Sequence, residues 1–200
     1  MPVDYRFDPF SNTLQPVDKT EKHTIPTASP FTIRLFEVPK KDSPSTLKIS
    51  VVDQLQADID DSTTSITVAN GSWFIVGNII TIDSEKMLVS AVNGNVLTVT
   101  RGYDGTIATS HTTGADLIIE GSMSEVSAMP GPGQFWPDYS TGADNDPNWN
   151  TGTILFNSAD AGKQVVVSYK GIGSLADTRA VNRDKALYTA PGIYTFTVPA

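Results

Sequence analysis

The sequence predicts an all-β protein of two small β-sandwich or barrel-like domains, one inserted in the other, with an extended N-terminal arm. Three observations lead there. Short apolar runs alternate with polar residues at a period of two, the spacing of a half-buried strand. Thr, Ser, Val and Ile are abundant, and 15 Gly and 13 Pro separate the runs. Charged residues make up only 18% of the chain, few for a set of solvated helices.

Residues 1–30 carry Pro2, Pro9, Pro16, Pro26 and Pro30 and show no periodicity. Prolines at that density forbid a long helix. The segment reads as an extended arm that would order only against a partner, with Phe7 and Phe10 as its anchors. FTIRLFEV (31–38) alternates, with Phe31, Ile33 and Leu35 on one side, and predicts a strand. TLKISVV (46–52) predicts a second, paired with the first as a hairpin across PKKDSPS.

Residues 58–120 predict a denser unit. TSITV (64–68), NIITID (78–83), KMLVSAV (86–92), NVLTVTR (95–101) and ADLIIE (115–120) each read as strands. Asn93-Gly94 sits between two of them, a dipeptide suited to the positive φ angles of a tight hairpin turn. Five short strands with tight turns point to a small barrel or sandwich. SEVSAM (124–129) is a further candidate strand. Residues 130–152 form a loop dense in Pro, Gly, Asp and aromatics. GTILFN (152–157) and KQVVVSY (163–169) read as a strand pair. A short helix is expected within 174–187, and GIYTFTVPA (192–200) reads as a strand.

Charge is unevenly spread over the net −8. Residues 49–162 hold fourteen acids against Lys86 and Arg101 alone; the two ends are mildly basic. An acidic body repels phosphate backbones, so nucleic acid is an unfavourable partner. With no cysteine, disulfides and thiolate metal sites are excluded. The N-terminus MPVDYRFDPF lacks the apolar core of a secretory signal, and no run approaches a membrane span.

The stretch TRGYDGTIATSH (100–111) concentrates polar side chains between glycines. His111 has hydroxyl neighbours but no nucleophile motif around it. It is expected to be a loop histidine bonded to backbone, with Asp104 capping the turn made by Gly102–Gly105. Asp58, Asp60 and Asp61, and separately Asp144 and Asp146, do not match a calcium-loop pattern and read as turn residues. No phosphate-binding loop is present. No catalytic residue, metal or cofactor is therefore expected. Phe135, Trp136, Tyr139 and Trp149 either plug an open end of a β domain or stack on a sugar.

Residues 63–119 resemble a module of tailed-phage virion proteins: a strand, G-x-I-x-I-D/G-x-E, a V-N/S-G-N-x-L-T-V-T-R hairpin, then G-x-D-G-T, H and G-A. The chain reads GNIITIDSEKMLVSAVNGNVLTVTRGYDGTIATSHTTGAD there, without a break. The flanking FTIRLFEVPKKDSPSTLKI, EVSAMPGPGQFWPDYSTG and TGTILFNSADAGKQVVVSYKGIGS resemble a β unit of phage tail and appendage proteins. Two departures stand out: ADNDPNWN (143–150) is extra, and 53–120 interrupts the unit. PGIYTFTVPA resembles the start of a tail-fibre segment.

These resemblances imply a virion structural protein of the tail (fibre, fibre base, baseplate or neck), assembled in the host cytoplasm, with no catalysis. Its expected partners are other virion proteins and copies of itself, three by analogy. They also imply an arm (1–30), a discontinuous outer domain (31–52 plus 121–174), an inserted module (53–120), and a connector with a C-terminal strand (175–200). Phe7, Phe10, Phe135, Trp136, Tyr139 and Trp149 are the expected partner-binding residues. The alternative is a module that binds host-surface glycan through the 130–150 loop.

Overall fold

A computed structural model describes residues 16–137 and 152–171, together with the backbone of 7–8 and 13–14. Among these residues the chain is nearly all β, with three short 3-10 turns and no α-helix. β1 (Phe7–Asp8) and β2 (Thr13–Leu14) pair with each other. The remaining strands are β3 (Val17–Thr24), β4 (Thr32–Arg34), β5 (Lys48–Gln54), β6 (Ser65–Thr67), β7 (Ile79–Ile82) and β8 (Glu85–Asn93), followed by β9 (Val96–Thr100), β10 (Asp116–Glu125), β11 (Gln134–Pro137), β12 (Thr153–Phe156) and β13 (Gln164–Gly171).

They form one open sheet in the order β3-β13-β5-β10-β7-β8-β9-β6, with β11, β12 and β4 branching from β10. Every pair is antiparallel except β10 with β11. Among the described residues no ladder closes the sheet, but β6 bends back towards β5. Gln56 N–H donates to Thr67 C=O (2.8 Å) and Ala69 N–H to Gln54 C=O (3.2 Å) around a single Leu55–Val68 bridge.

Alternation decides which side chains go inside. Ile80 and Ile82 on β7, Leu97 and Val99 on β9, and Val165, Val167 and Tyr169 on β13 are all buried. One core cluster runs from Ile33, Phe135, Ile154 and Phe156 at one end to Ile66, Ile80 and Leu97 at the other. β5 and β10 carry it across, through Ile49, Val51, Leu117, Ile119 and Met123. The expected domain boundaries at 52/53 and 120/121 fall inside these two strands, which pair with each other. β10 runs through ADLIIE into the first residues of SEVSAM as one strand. A register irregularity between Ile119 and Met123, with Gly121 at φ +58°, absorbs the change of direction.

Several expected pairings differ. β4 pairs with β12 and β5 with β13 and β10, so residues 31–52 are not a hairpin. β12 and β13 likewise join different neighbours instead of each other. Alternation specifies which face of a strand is apolar; it does not specify the strand alongside. Val17–Thr24 is not a free arm, since all eight residues pair with β13. Its side chains are polar on both faces, so its only periodic signal is partial burial of Lys19, Glu21 and His23.

The β8–β9 hairpin forms as expected, but its two turn residues are Gly94 and Asn95, and only Gly94 has positive φ (+57°). The carboxamide of Asn95 accepts from Gly71 N–H (2.9 Å) and donates to Ala69 C=O (3.1 Å). That clip holds the 3-10 turn Gly71–Trp73 against the hairpin. The expected helix in 174–187 and strand in 192–200 lie outside the described residues.

Candidate functional site

The polar residues of the 100–111 stretch converge on one buried carboxylate. Glu85 opens β8, immediately after a turn in which Asp83 takes φ +53°. Arg101 follows the last residue of β9, and Gly102 then turns the chain with φ +60°. A side chain at Gly102 would also press on Thr106 C=O at 3.0 Å. Glu85 has no exposed surface and the Arg101 side chain is 6% exposed.

Five donors meet the Glu85 carboxylate. Arg101 Nε (2.7 Å) and Gly102 N–H (3.1 Å) donate to Oε1. Arg101 Nη2 (2.8 Å), Thr109 N–H (3.0 Å) and His111 Nε2 (2.9 Å) donate to Oε2. Arg101 spends its remaining donors on the carbonyls of Asp60 (2.6 Å), Thr63 (2.9 Å) and Thr109 (2.6 Å). One planar fork thus ties β8 and β9 to the loops that carry Asp60, Thr63 and Thr109. The His111 backbone pairs with Ile59 in both directions at 2.9 Å, and its Nδ1 lies 3.1 Å from Asp83 Oδ2.

His111 is therefore buried and faces two carboxylates, where the sequence led us to expect a loop histidine bonded to backbone. Asp104 does not cap its turn either. Its own backbone takes φ +55°, and its carboxylate meets Lys86 Nζ at 3.1 Å. Thr106 closes the turn, through N–H and Oγ1 bonds to Tyr103 C=O.

Thr109 Oγ1, His111 and Asp83 resemble a hydroxyl–imidazole–carboxylate relay in outline, with Oγ1 3.3 Å from Nε2. A relay needs Nε2 to offer a lone pair to the hydroxyl. The Glu85 carboxylate 2.9 Å away can only accept, so Nε2 must direct its hydrogen there. The site as built can hold three chain segments in place, and it has no base directed at Thr109.

Burial alone would push the Glu85 carboxyl up. The Arg101 guanidinium, the Thr109 N–H, His111 and the Gly102 N–H outweigh it and hold the group at about 2, below its ordinary 4.5. A carboxylate depressed in the folded state contributes stability above its unfolded pKa. That contribution is lost as pH falls from about 4.5 towards about 2. Urea midpoints should therefore fall over this window, and more steeply in the parent protein than in Glu85→Gln. Equal slopes in the two proteins would remove Glu85 from the account.

A second polar cluster joins β3 to β13. Tyr169 O–H donates to Glu21 and accepts from Glu37 N–H (3.1 Å). Burial raises the Tyr169 phenol above its ordinary value, and the bond to Glu21 adds to the shift. Both Glu21 oxygens also accept from Phe36 N–H at 3.1 Å, and Lys19 Nζ meets Glu37 at 2.7 Å. Buried Asp160 accepts from Gly133 N–H (2.8 Å) and Lys163 Nζ (2.7 Å), and the Lys163 ammonium lies 5.5 Å over the Trp73 ring.

The Asp60 carboxylate is occupied by bonds within its own turn, whereas Asp58, expected to be a turn residue, reaches across to another segment. Asp58 accepts from Thr113, and Asp60 Oδ1 accepts from both the N–H and the hydroxyl of Ser62 and of Thr63. Among the described residues no group of three potential ligands is placed to hold a metal ion, and no helix is long and apolar enough to cross a membrane.

The expected partner-binding aromatics separate. Phe135 is 1% exposed and packs in the core, pointing inward from β11, so it is not available to a partner in this fold. Trp136, the next residue, points outward and is 40% exposed. The backbone of Phe7 lies in β1, while Phe10, Tyr139 and Trp149 fall outside the described residues. Phe135→Ala should cost about 3–5 kcal/mol in urea unfolding, against less than about 1 kcal/mol for Trp136→Ala. Similar costs for the two would contradict the inward and outward assignment.

Sequence reasoning missed Glu85 as the centre of the cluster. One signal was available: Arg101 is one of only two bases among fourteen acids over residues 49–162. No protein-family model matches the chain, and no characterised protein matches it significantly.

Proposed function

We propose that the protein is a structural component of a tailed-phage virion, part of the tail as a fibre, fibre base, baseplate or neck element. It acts by assembly and attachment, without catalysis, and its partners are other virion proteins. The observation that carries this reading is the unbroken resemblance of GNIITIDSEKMLVSAVNGNVLTVTRGYDGTIATSHTTGAD to a module of such proteins. The fate of its polar residues supports it: Glu85, Arg101 and His111 are spent on internal bonds. In this reading 53–120 is a module inserted into an outer unit of 31–52 and 121–174. β6, β7, β8 and β9 pair only among themselves and with β10, as such an insertion would require.

Antibody raised against the chain should label the tails of purified particles of the phage that encodes it. Particles lacking the chain would overturn the proposal. Attachment through the N-terminal segment is tested by deleting residues 1–15, which leaves β3 intact. The shortened protein should no longer be retained on particles.

The exposed ring of Trp136 favours one second reading, a module that binds host-surface glycan. A glycan array should then give a signal that Trp136→Ala abolishes; silence from the parent protein would exclude it.

A further inference from the structure

We infer that the free edge of β3 is a self-association surface, on which a second copy of this chain adds its own β3 antiparallel to the first. Among the described residues β3 ends the sheet order, with β13 on one side and no strand on the other. An eight-residue edge presents a row of backbone donors and acceptors that another strand can satisfy.

The charges on VDKTEKHT select the partner. When two copies pair with Thr20 opposite Thr20 of the second copy, Asp18 faces Lys22 and Lys19 faces Glu21, each twice by symmetry. Sliding by one residue sets Asp18 against Glu21, or Lys19 against Lys22. Sliding by two residues sets Lys19 against Lys19, or Glu21 against Glu21. Opposite charges across a strand pair stabilise it and like charges oppose it. Within two residues of sliding in either direction, only the Thr20-centred register avoids like-charge pairs.

The faces agree with that register. Exposed Asp18 and Lys22 share the outer face, where Lys22 also meets Asp116 at 2.6 Å. Half-buried Lys19 and Glu21 share the inner face. A Thr20-centred pair sets outer residues opposite outer ones and inner opposite inner, so the inner faces of the two copies become continuous. Phe36 stands beside this edge, its N–H held by the Glu21 carboxylate and its ring 80% exposed. A second copy would cover apolar surface there as well as strand edge. The two-fold operator is independent of the three-fold arrangement implied by the phage resemblance. Where the two-fold axis crosses the three-fold axis at right angles, the two generate a hexamer.

Sedimentation velocity of the full chain at about 100 μM should show a dimer, or a hexamer where both operators act. Lys22→Asp places like charges opposite Asp18 at two points and should raise the dissociation constant of the β3 contact at least about 10-fold. Adding Asp18→Lys restores opposite charges and should bring it back to within about 3-fold of the parent. Phe36→Ala should weaken the contact independently of charge. Positions 18 and 22 are exposed, so circular dichroism should be unchanged in both charge variants. A monomer at that concentration, a trimer alone, indifference to Lys22→Asp, or failure of the charge swap to restore association would each overturn the inference.

Discussion

Replacing Arg101 with alanine is expected to destabilise the protein by about 4 kcal/mol, the largest loss from any single polar side chain among the described residues. The guanidinium makes two bonds to Glu85 and three to backbone carbonyls. Removing it leaves Glu85 buried with its charge and only part of its donor set, and it strips the carbonyls of Asp60, Thr63 and Thr109 of these donors. Breaking a buried charge pair from one side typically costs about 3–5 kcal/mol, because the remaining ion cannot return to water. Orphaned carbonyls add to that cost. In a chain of this size the melting temperature should drop by roughly 8–16 °C. Arg101→Lys should recover less than half of the loss, since one ammonium cannot reach five acceptors on three segments. Urea unfolding followed by tryptophan fluorescence measures both variants. A loss below about 1 kcal/mol for Arg101→Ala would mean that water or a rearranged neighbour replaces the fork.

Gly71→Ala should be nearly as damaging, although it adds only a methyl group. A Cβ at this position would lie 1.8 Å from Gly94 C=O oxygen and 2.8 Å from Asn95 Cα, both backbone atoms. Neither can swing aside as a flexible side chain would. Relief requires the 3-10 turn to lift off the β8–β9 hairpin, which breaks the Gly71 N–H bond to Asn95 and draws Phe74 from the core. We expect a loss of about 3 kcal/mol, at the upper end of ordinary overpacking. Gly94→Ala, whose Cβ would enter open space, should cost less despite the positive φ there. Equal losses at the two positions would show that backbone conformation, and not contact, governs this junction.

The strands of the 78–101 region were legible because each has one apolar face and short polar turns. β7, β8 and β9 begin and end within a few residues of expectation. β3 was not legible. An edge strand buries little, so Val17–Thr24 could be polar on both faces without losing its place. The pairing of β4 with β12 and of β5 with β13 depends on how the whole sheet comes together, which a period of two does not encode. The same holds for the buried cluster. Glu85 and Arg101 are 16 residues apart, and Glu85 and His111 are 26. The sequence placed His111 in a loop, bonded to backbone; only the meeting of three segments shows a buried carboxylate already occupied by donors.

β3 and β13 are paired end to end, with Val17 directly opposite Gly171. Val17 and Gly171 therefore lie side by side at one end of that ladder. Tension applied between Val17 and Gly171 would not run through the core or through the strands that carry the RGYDGT turn. It would peel β3 from β13 one hydrogen bond at a time, starting at the Val17–Gly171 end. Such an unzipping geometry yields at low force, with the rest of the sheet left unloaded. Held at Val17 and Gly171, the sheet would hang as a pendant beside the line of load, not as a link within it.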